Sequence, residues 1–273
     1  MDGRGEDVNS KHRFSMSGEK KVLVVANYNE LSRVAAEKFV FHANTMVQRK
    51  GFFTAALSGG STPKGLYMRL ASDPYRGQVP WQKVHLFWGD ERCVPPDHPD
   101  SNYHTACELL LKKVTIPEEN IHRIHAEQED RNRAAAEYEQ MLRIFFRLGA
   151  EGYPCFDLIL LGMGEDGHTA SLFPGASVLE ETRRLVVASY IEKRGDYRLT
   201  LTVPVLNHAA NVIFLISGES KATVLRKVLE GKRHPQCLPS QLVQPANGRL
   251  LFIVDSMAAR ELKCYSRIKI QTK

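Results

Sequence analysis

Residues 156–174 read Phe-Asp-Leu-Ile-Leu-Leu-Gly-Met-Gly-Glu-Asp-Gly-His-Thr-Ala-Ser-Leu-Phe-Pro. The first six form a nearly unbroken apolar run, the pattern of a strand buried on both faces. The run ends in a bend with glycines at 162, 164 and 167, which reach backbone angles closed to other residues and leave room beside the chain. This bend delivers Asp166 and His168 at the carboxyl end of a strand, where open α/β sheets place their ligands. A histidine can be neutral near pH 7 and take a proton from water, and a carboxylate beside it orients the ring or stabilises its cation. Either Asp166 or Asp90 could serve. A lone histidine is more often structural, but the flanking glycines, the two acids and the strand-end position favour a catalytic one here.

Strands and helices alternate on either side of this segment. Apolar and β-branched runs predict strands at 21–26, 52–57, 83–88, 156–161, 185–189, 198–203, 212–217 and 250–255. Amphipathic spacing predicts helices capped at Asn29 and running to about residue 50, through 70, over 102–113, over 131–148 and over 219–229, with another beginning near Ser256. Gly51 ends the first of these, where a C′ glycine is expected. Such alternation predicts an α/β fold with a mainly parallel sheet and helices on both faces. No repeat, low-complexity segment or linker divides the chain, which predicts a single domain.

The bulk composition is that of an ordinary globular protein: 273 residues, 43% apolar and 25% charged. The balance of 37 basic against 31 acidic residues gives +6 without forming a stripe, and aromatics do not interleave with basic residues. Nucleic acid is therefore not the expected partner, and a small anionic substrate fits better. Five cysteines, an odd count with no C-x-x-C pair, argue against a disulfide framework or a zinc site and suit the cytoplasm. No apolar run approaches the ~20 residues a membrane span needs. Residues 1–19 are polar, without the apolar stretch of a signal peptide, and predict a disordered arm.

Three further constellations carry chemistry. Ser58-Gly59-Gly60-Ser61-Thr62-Pro63-Lys64 lies between a strand and a helix. Its glycines admit a ligand to the backbone, its hydroxyls and amides donate, and the helix N-terminus favours an anion, so it forms a phosphate cradle. It matches no nucleotide-binding motif; an ordinary tight turn would look the same. Trp88-Gly89-Asp90-Glu91-Arg92 ends another strand, where Asp90 could orient a group and Arg92 could bind an anion or a developing oxyanion. Arg198, with Lys193 and Arg194 just before it, is free to meet an anion. Lys221 falls in the first turn of a helix, where a cation opposes the dipole; a bound anion would account for it, as would simple solvation.

Together these segments resemble the 6-phosphogluconolactonase family. The likeness covers roughly residues 20–262 and rests on LSGGSTPKGLY (57–67), WGDERCVPPDHPDSNY (88–103), LILLGMGEDGHTASLFPG (158–175), RLTLTVPVLN (198–207), SGESKATVL (217–225) and LPSQLV (238–243). The second and third are long and specific. The resemblance implies the Rossmann-like three-layer sandwich of the sugar-phosphate isomerase and deaminase superfamily over 20–262, followed by a basic tail at 263–273. It implies hydrolysis of 6-phospho-D-glucono-1,5-lactone to 6-phosphogluconate in the oxidative pentose phosphate pathway, by a monomer or weak homodimer. The matching positions are His168 for the general base, Asp166 and Asp90 near it, and Arg92 in the substrate pocket. Ser58, Gly59, Gly60, Ser61, Thr62 and Lys221 match phosphate-binding positions. Arg198 and Lys193 match less closely, because IEKRGDY before RLTLT lacks the family's proline-rich run.

Glucosamine-6-phosphate deaminase shares that fold and the acid–glycine–histidine turn, but its pattern has a glutamate five residues after the histidine. Here the position is Phe173, which cannot exchange protons. A non-catalytic sugar-phosphate-binding regulator would have no need of His168 and Asp166. A δ-lactone is already an activated ester, so a positioned water and base suffice, with no cofactor, metal or covalent intermediate. Ser171 is set aside as a nucleophile because it lacks a G-x-S-x-G elbow.

Overall fold

The computed structural model describes residues 21–192 and 194–263. The arm at 1–19, nearly all of the tail, Cys264 and Lys193 lie outside the described residues. In chain order the elements are β1 (Lys21–Val25), α1 (Tyr28–Lys50), β2 (Phe53–Leu57), α2 (Ser61–Leu70), α3 (Tyr75–Gln78), β3 (Val84–Trp88), β4 (Asp90–Arg92), α4 (Asn102–Leu109), β5 (Ile121–His122), α5 (Arg131–Phe145), β6 (Leu158–Leu161), β7 (Val186–Ile191), β8 (Asp196–Leu201), α6 (Val203–Asn207), β9 (Asn211–Ile216), α7 (Ala222–Glu230) and β10 (Arg249–Asp255).

Seven strands form one sheet in the order β1-β10-β9-β6-β2-β3-β5, and every pairing in it is parallel. Every residue of β2 and β6 is buried. Because side chains alternate between faces, both faces of the central sheet must be covered. α1 covers part of it, packing on β2 and β10 through Leu31, Val34, Ala35, Phe39 and Ala43. Its cap is Asn27 rather than the expected Asn29: the Asn27 side chain accepts from the Glu30 amide at 3.0 Å. Gly51 closes the helix in the left-handed region at φ 89°, as anticipated.

The main departure is a second sheet. Strands β4, β8 and β7 form an antiparallel ladder apart from the parallel one, and α5 packs on it. The sequence reading treats residues 89–92 as the tail of the third strand; the chain instead changes sheets at Gly89. Its amide donates to the Leu57 carbonyl at 2.9 Å, and its own carbonyl accepts from Leu201 at 2.8 Å, so one residue bonds into both sheets. The two-residue β5 is too short for a periodicity to register. The helix expected near Ser256 is a run of turns, in which Asp255 accepts from the Ala258 amide at 2.8 Å. Among the described residues no helix is long and apolar enough to cross a membrane.

Candidate active site

Strand order gathers the chemistry. In a parallel sheet all carboxyl ends lie along one rim, and β9, β6, β2 and β3 are consecutive neighbours. The loops that follow them are the Ser217-Gly218 segment, the Gly162–His168 turn, the Ser58–Thr62 loop and the Gly89 crossing. Four segments that are remote in sequence thus meet at one edge, with the histidine turn on a central strand.

That turn is tied from several sides. Within it, the Gly164 amide donates to the His168 carbonyl at 2.9 Å and the Gly167 amide to the Gly164 carbonyl at 3.1 Å. Gly167 takes φ 80°, which a side chain would resist. From outside, the Ser240 amide at 2.9 Å and its hydroxyl at 2.8 Å both donate to the Gly167 carbonyl; this is the work of the LPSQLV segment. Thr169 donates its hydroxyl back to the Gly162 carbonyl at 2.8 Å. Gly164 is needed for space rather than for angle: a Cβ there would lie 2.0 Å from His168 Nδ1 and 2.1 Å from Cε1.

Asp166 is the acid that holds the imidazole. Its Oδ1 lies 2.5 Å from His168 Nδ1 and also accepts the His168 amide at 3.1 Å. Burial raises the Asp166 carboxyl, but the hydrogen bonds and charge of His168 together outweigh it and hold the group down to about 2. The carboxylate is therefore ionised and can only accept, which puts the proton of the neutral ring on Nδ1 and leaves the lone pair on Nε2. Among the described residues no hydrogen bond engages Nε2, and the side chain keeps 21% of its surface exposed.

Asp90 turns elsewhere. Its Oδ2 accepts from the Ser171 hydroxyl at 2.7 Å, and its carbonyl accepts from Asn102 Nδ2 at 2.8 Å. Ser171 is fully buried, and its amide donates to Thr200 Oγ1 at 3.3 Å. The pair ties the histidine turn to the antiparallel sheet. Arg92 on β4 stands opposite Arg198 on β8, an arrangement that repels unless something negative is shared. Arg198 is 8% exposed and pairs with Asp196 at 3.0 Å. Burial first, and then the nearby Arg92 and Arg194 charges, push its pKa down against the pull of Asp196 and Asp90. Arg92 donates to the Asp100 carbonyl.

The Ser58–Thr62 loop leads from β2 into α2 with Gly60 at φ 93° as the cap residue. A Cβ on Gly59 would fall 1.7 Å from Asn102 Oδ1, so this glycine lets the start of α4 close against the loop. Ser58 carries a buried hydroxyl without a hydrogen-bond partner, while its carbonyl accepts from Tyr67 at 2.6 Å. Buried polar groups are rarely left unmet, and a ligand oxygen would meet this one. Lys221 caps α7 and reaches Glu165 of the histidine turn at 3.7 Å.

Two carboxylates escaped the sequence reading. Glu91, buried, accepts the amides of Asn102 at 2.7 Å and Tyr103 at 2.8 Å and the Ser101 hydroxyl at 3.1 Å, and so holds the start of α4; burial raises its pKa. Asp255, the last residue of β10, accepts the Gly218 amide at 3.1 Å and the Ser217 hydroxyl, which fixes the loop ahead of Lys221. Nothing local marks either residue, because their partners lie in other segments.

A parallel sheet that brings four loops to one rim, with an acid-oriented histidine on the central strand, is an α/β architecture that presents a candidate active site at its strand ends. The family described as glucosamine-6-phosphate isomerases/6-phosphogluconolactonase matches residues 26–252, and the chain belongs to it. It is 41% identical to a 6-phosphogluconolactonase of Nostoc sp. over 89% of this chain and 99% of that one. It is 44% identical to a Synechocystis sp. 6-phosphogluconolactonase over 80% and 88%. Among solved structures, the 6-phosphogluconolactonase of Trypanosoma cruzi superimposes with a TM-score of 0.81 at 31% identity, covering 91% of this chain and 99% of that one.

Proposed function

We propose that the protein hydrolyses 6-phospho-D-glucono-1,5-lactone to 6-phospho-D-gluconate, a step of the oxidative pentose phosphate pathway, with His168 activating the water. The 2.5 Å contact between Asp166 and His168 carries the mechanistic part. It leaves Nε2 as the basic atom and keeps a negative charge behind the ring. Nε2 takes a proton from water as the water oxygen bonds to C1. The resulting imidazolium lies against Asp166, which offsets its charge. The amides of Gly164 and Gly167 are engaged within the turn, so Arg92 is the group assigned to the tetrahedral oxyanion. As that intermediate collapses, the C1–O5 bond breaks and His168 returns its proton to O5. One water has then been added across the ester, and the enzyme is restored.

The phosphate is assigned to Ser58–Thr62 and Lys221, with Arg198 as a further cation. The unmet Ser58 hydroxyl and the first-turn amides of α2 support this. The Lys221–Glu165 contact, 3.7 Å long and partly exposed, is loose enough for the ammonium to exchange partners. Lys221→Ala is expected to weaken binding of the phosphorylated lactone by about 2–5 kcal/mol, read as a rise in KM. An unchanged KM and kcat would move the phosphate elsewhere. Cys93, Cys107, Cys155 and Cys237 are free thiols, in keeping with the cytoplasm as the compartment we propose.

The whole reading is tested by generating the lactone with glucose-6-phosphate dehydrogenase and following its loss, with glucosamine 6-phosphate offered separately. Accelerated loss of lactone without ammonia from the amino sugar is expected. Ammonia release would instead assign the chain to the deaminase chemistry of its family.

A further inference from the structure

The position where the deaminase pattern carries an acid holds a ring with an evident neighbour. Phe173 stacks on the His168 imidazole, with centroids 4.1 Å apart and planes 24° from parallel. Four residues separate the two, and the chain must double back to bring them together. It does so at Ala170, a non-glycine residue at φ 47°, with the turn closed by the Leu172 amide on the Thr169 carbonyl at 2.9 Å. The Arg194 guanidinium, from the turn between β7 and β8, lies 5.6 Å from the centre of the same phenyl ring. Phe173 is therefore shared between a fixed cation and a ring that becomes a cation during the reaction.

We propose that Phe173 is a positioning residue for His168, and that Arg194 modulates it through the shared ring. This rests on the reading of His168 as the base. Asp166 fixes the Nδ1 edge of the imidazole but permits rotation about the hydrogen bond. Gly164 gives the ring room, and the phenyl plate then sets its plane, so that Nε2 points in one direction. The plate also keeps water off the face it covers. A π face attracts a cation more than a neutral ring, so the stack favours the imidazolium over the imidazole. Arg194 works the other way, by occupying the phenyl ring and by repelling a second positive charge. The other charged groups on the segments about the turn are Asp166 and Glu165 within it, Lys221 ahead of α7, Glu192 on the β7–β8 turn, and Asp90, Glu91, Arg92, Asp196 and Arg198 on the antiparallel sheet. All of them stay in place when Phe173 or Arg194 is exchanged.

The test compares Phe173→Leu, Phe173→Tyr, Arg194→Gln and His168→Ala in the full chain, measuring lactone hydrolysis against pH with the uncatalysed rate subtracted. Leucine keeps an apolar group of similar bulk but removes the π face. It is expected to lower kcat by about tenfold, through loss of aim, and to move the acid limb of kcat/KM to lower pH. Tyrosine restores both. Arg194→Gln moves the acid limb upward, which a purely structural role would not do, and keeps the proposal testable should the leucine variant fail to fold. A folded Phe173→Leu protein with the parent kcat and acid limb, beside an inactive His168→Ala protein, overturns this proposal alone. So does an unmoved limb in Arg194→Gln. Activity retained in His168→Ala overturns the base reading and this proposal together.

Discussion

Replacing His168 with alanine lowers kcat on the lactone by about 10²–10⁴-fold, the usual worth of a positioned general base, and leaves KM close to the parent value. The split follows from the geometry. In the proposed mechanism the imidazole meets substrate only through Nε2, at C1, whereas the groups assigned to the phosphate sit on the β2 and β9 loops. Removing the ring therefore takes away an interaction made in the transition state and little of the ground-state binding. His168 bonds into the turn mainly through its backbone, which receives the Gly164 amide and donates to Asp166, so the fold should survive. The measurement is kcat and KM from initial rates with circular dichroism as the control for folding. A folded variant with parent turnover would remove His168 from the chemistry.

Gly164→Ala is expected to cost about 10²-fold in kcat, although residue 164 has no side chain to contribute. A methyl group there would stand 2.0 Å from His168 Nδ1, 2.1 Å from Cε1 and 2.7 Å from Asp166 Oδ1. No contact that short can persist, and the movable parties are the imidazole and the carboxylate. Displacing a reacting group by about 1 Å is enough for a loss of that size. The Gly164 amide bond to the His168 carbonyl is backbone to backbone, so the turn itself need not unravel. Proton NMR of the His168 ring distinguishes this from general destabilisation: the Nδ1–H resonance bonded to Asp166 should shift or vanish while the global melting temperature changes little. Full activity in Gly164→Ala would mean that the ring works from a position other than the one it holds here.

The histidine turn and the Ser58–Thr62 loop are legible in the sequence because their signals are local. Apolar runs mark β6 and β2, and clustered glycines mark the bends that follow them. The parallel sheet was legible for the same reason, from strands alternating with helical spacing. The switch of sheets at Gly89 was not. Gly89 and the charged residues after it mark the end of a strand but not a change of sheet, and the pairing of Asp90 with Thr200 joins segments more than a hundred positions apart. The cap at Asn27 was missed by two residues because Asn29 is an equally good capping type; the choice rests on which side chain meets the Glu30 amide. Phe173 was visible only as an absent glutamate, and its stack on His168 depends on a left-handed Ala170 that no alanine advertises.

Residue types and short spacings were thus enough to specify a strand, a bend and a histidine presented to solvent, since backbone freedom and side-chain periodicity are properties of neighbours along the chain. Folding settled that Asp166 rather than Asp90 stands behind the imidazole, that Asp90 instead binds Ser171, and that Arg92 faces Arg198. Those outcomes follow from strand order and register, which arise when buried faces from distant segments compete for the same core.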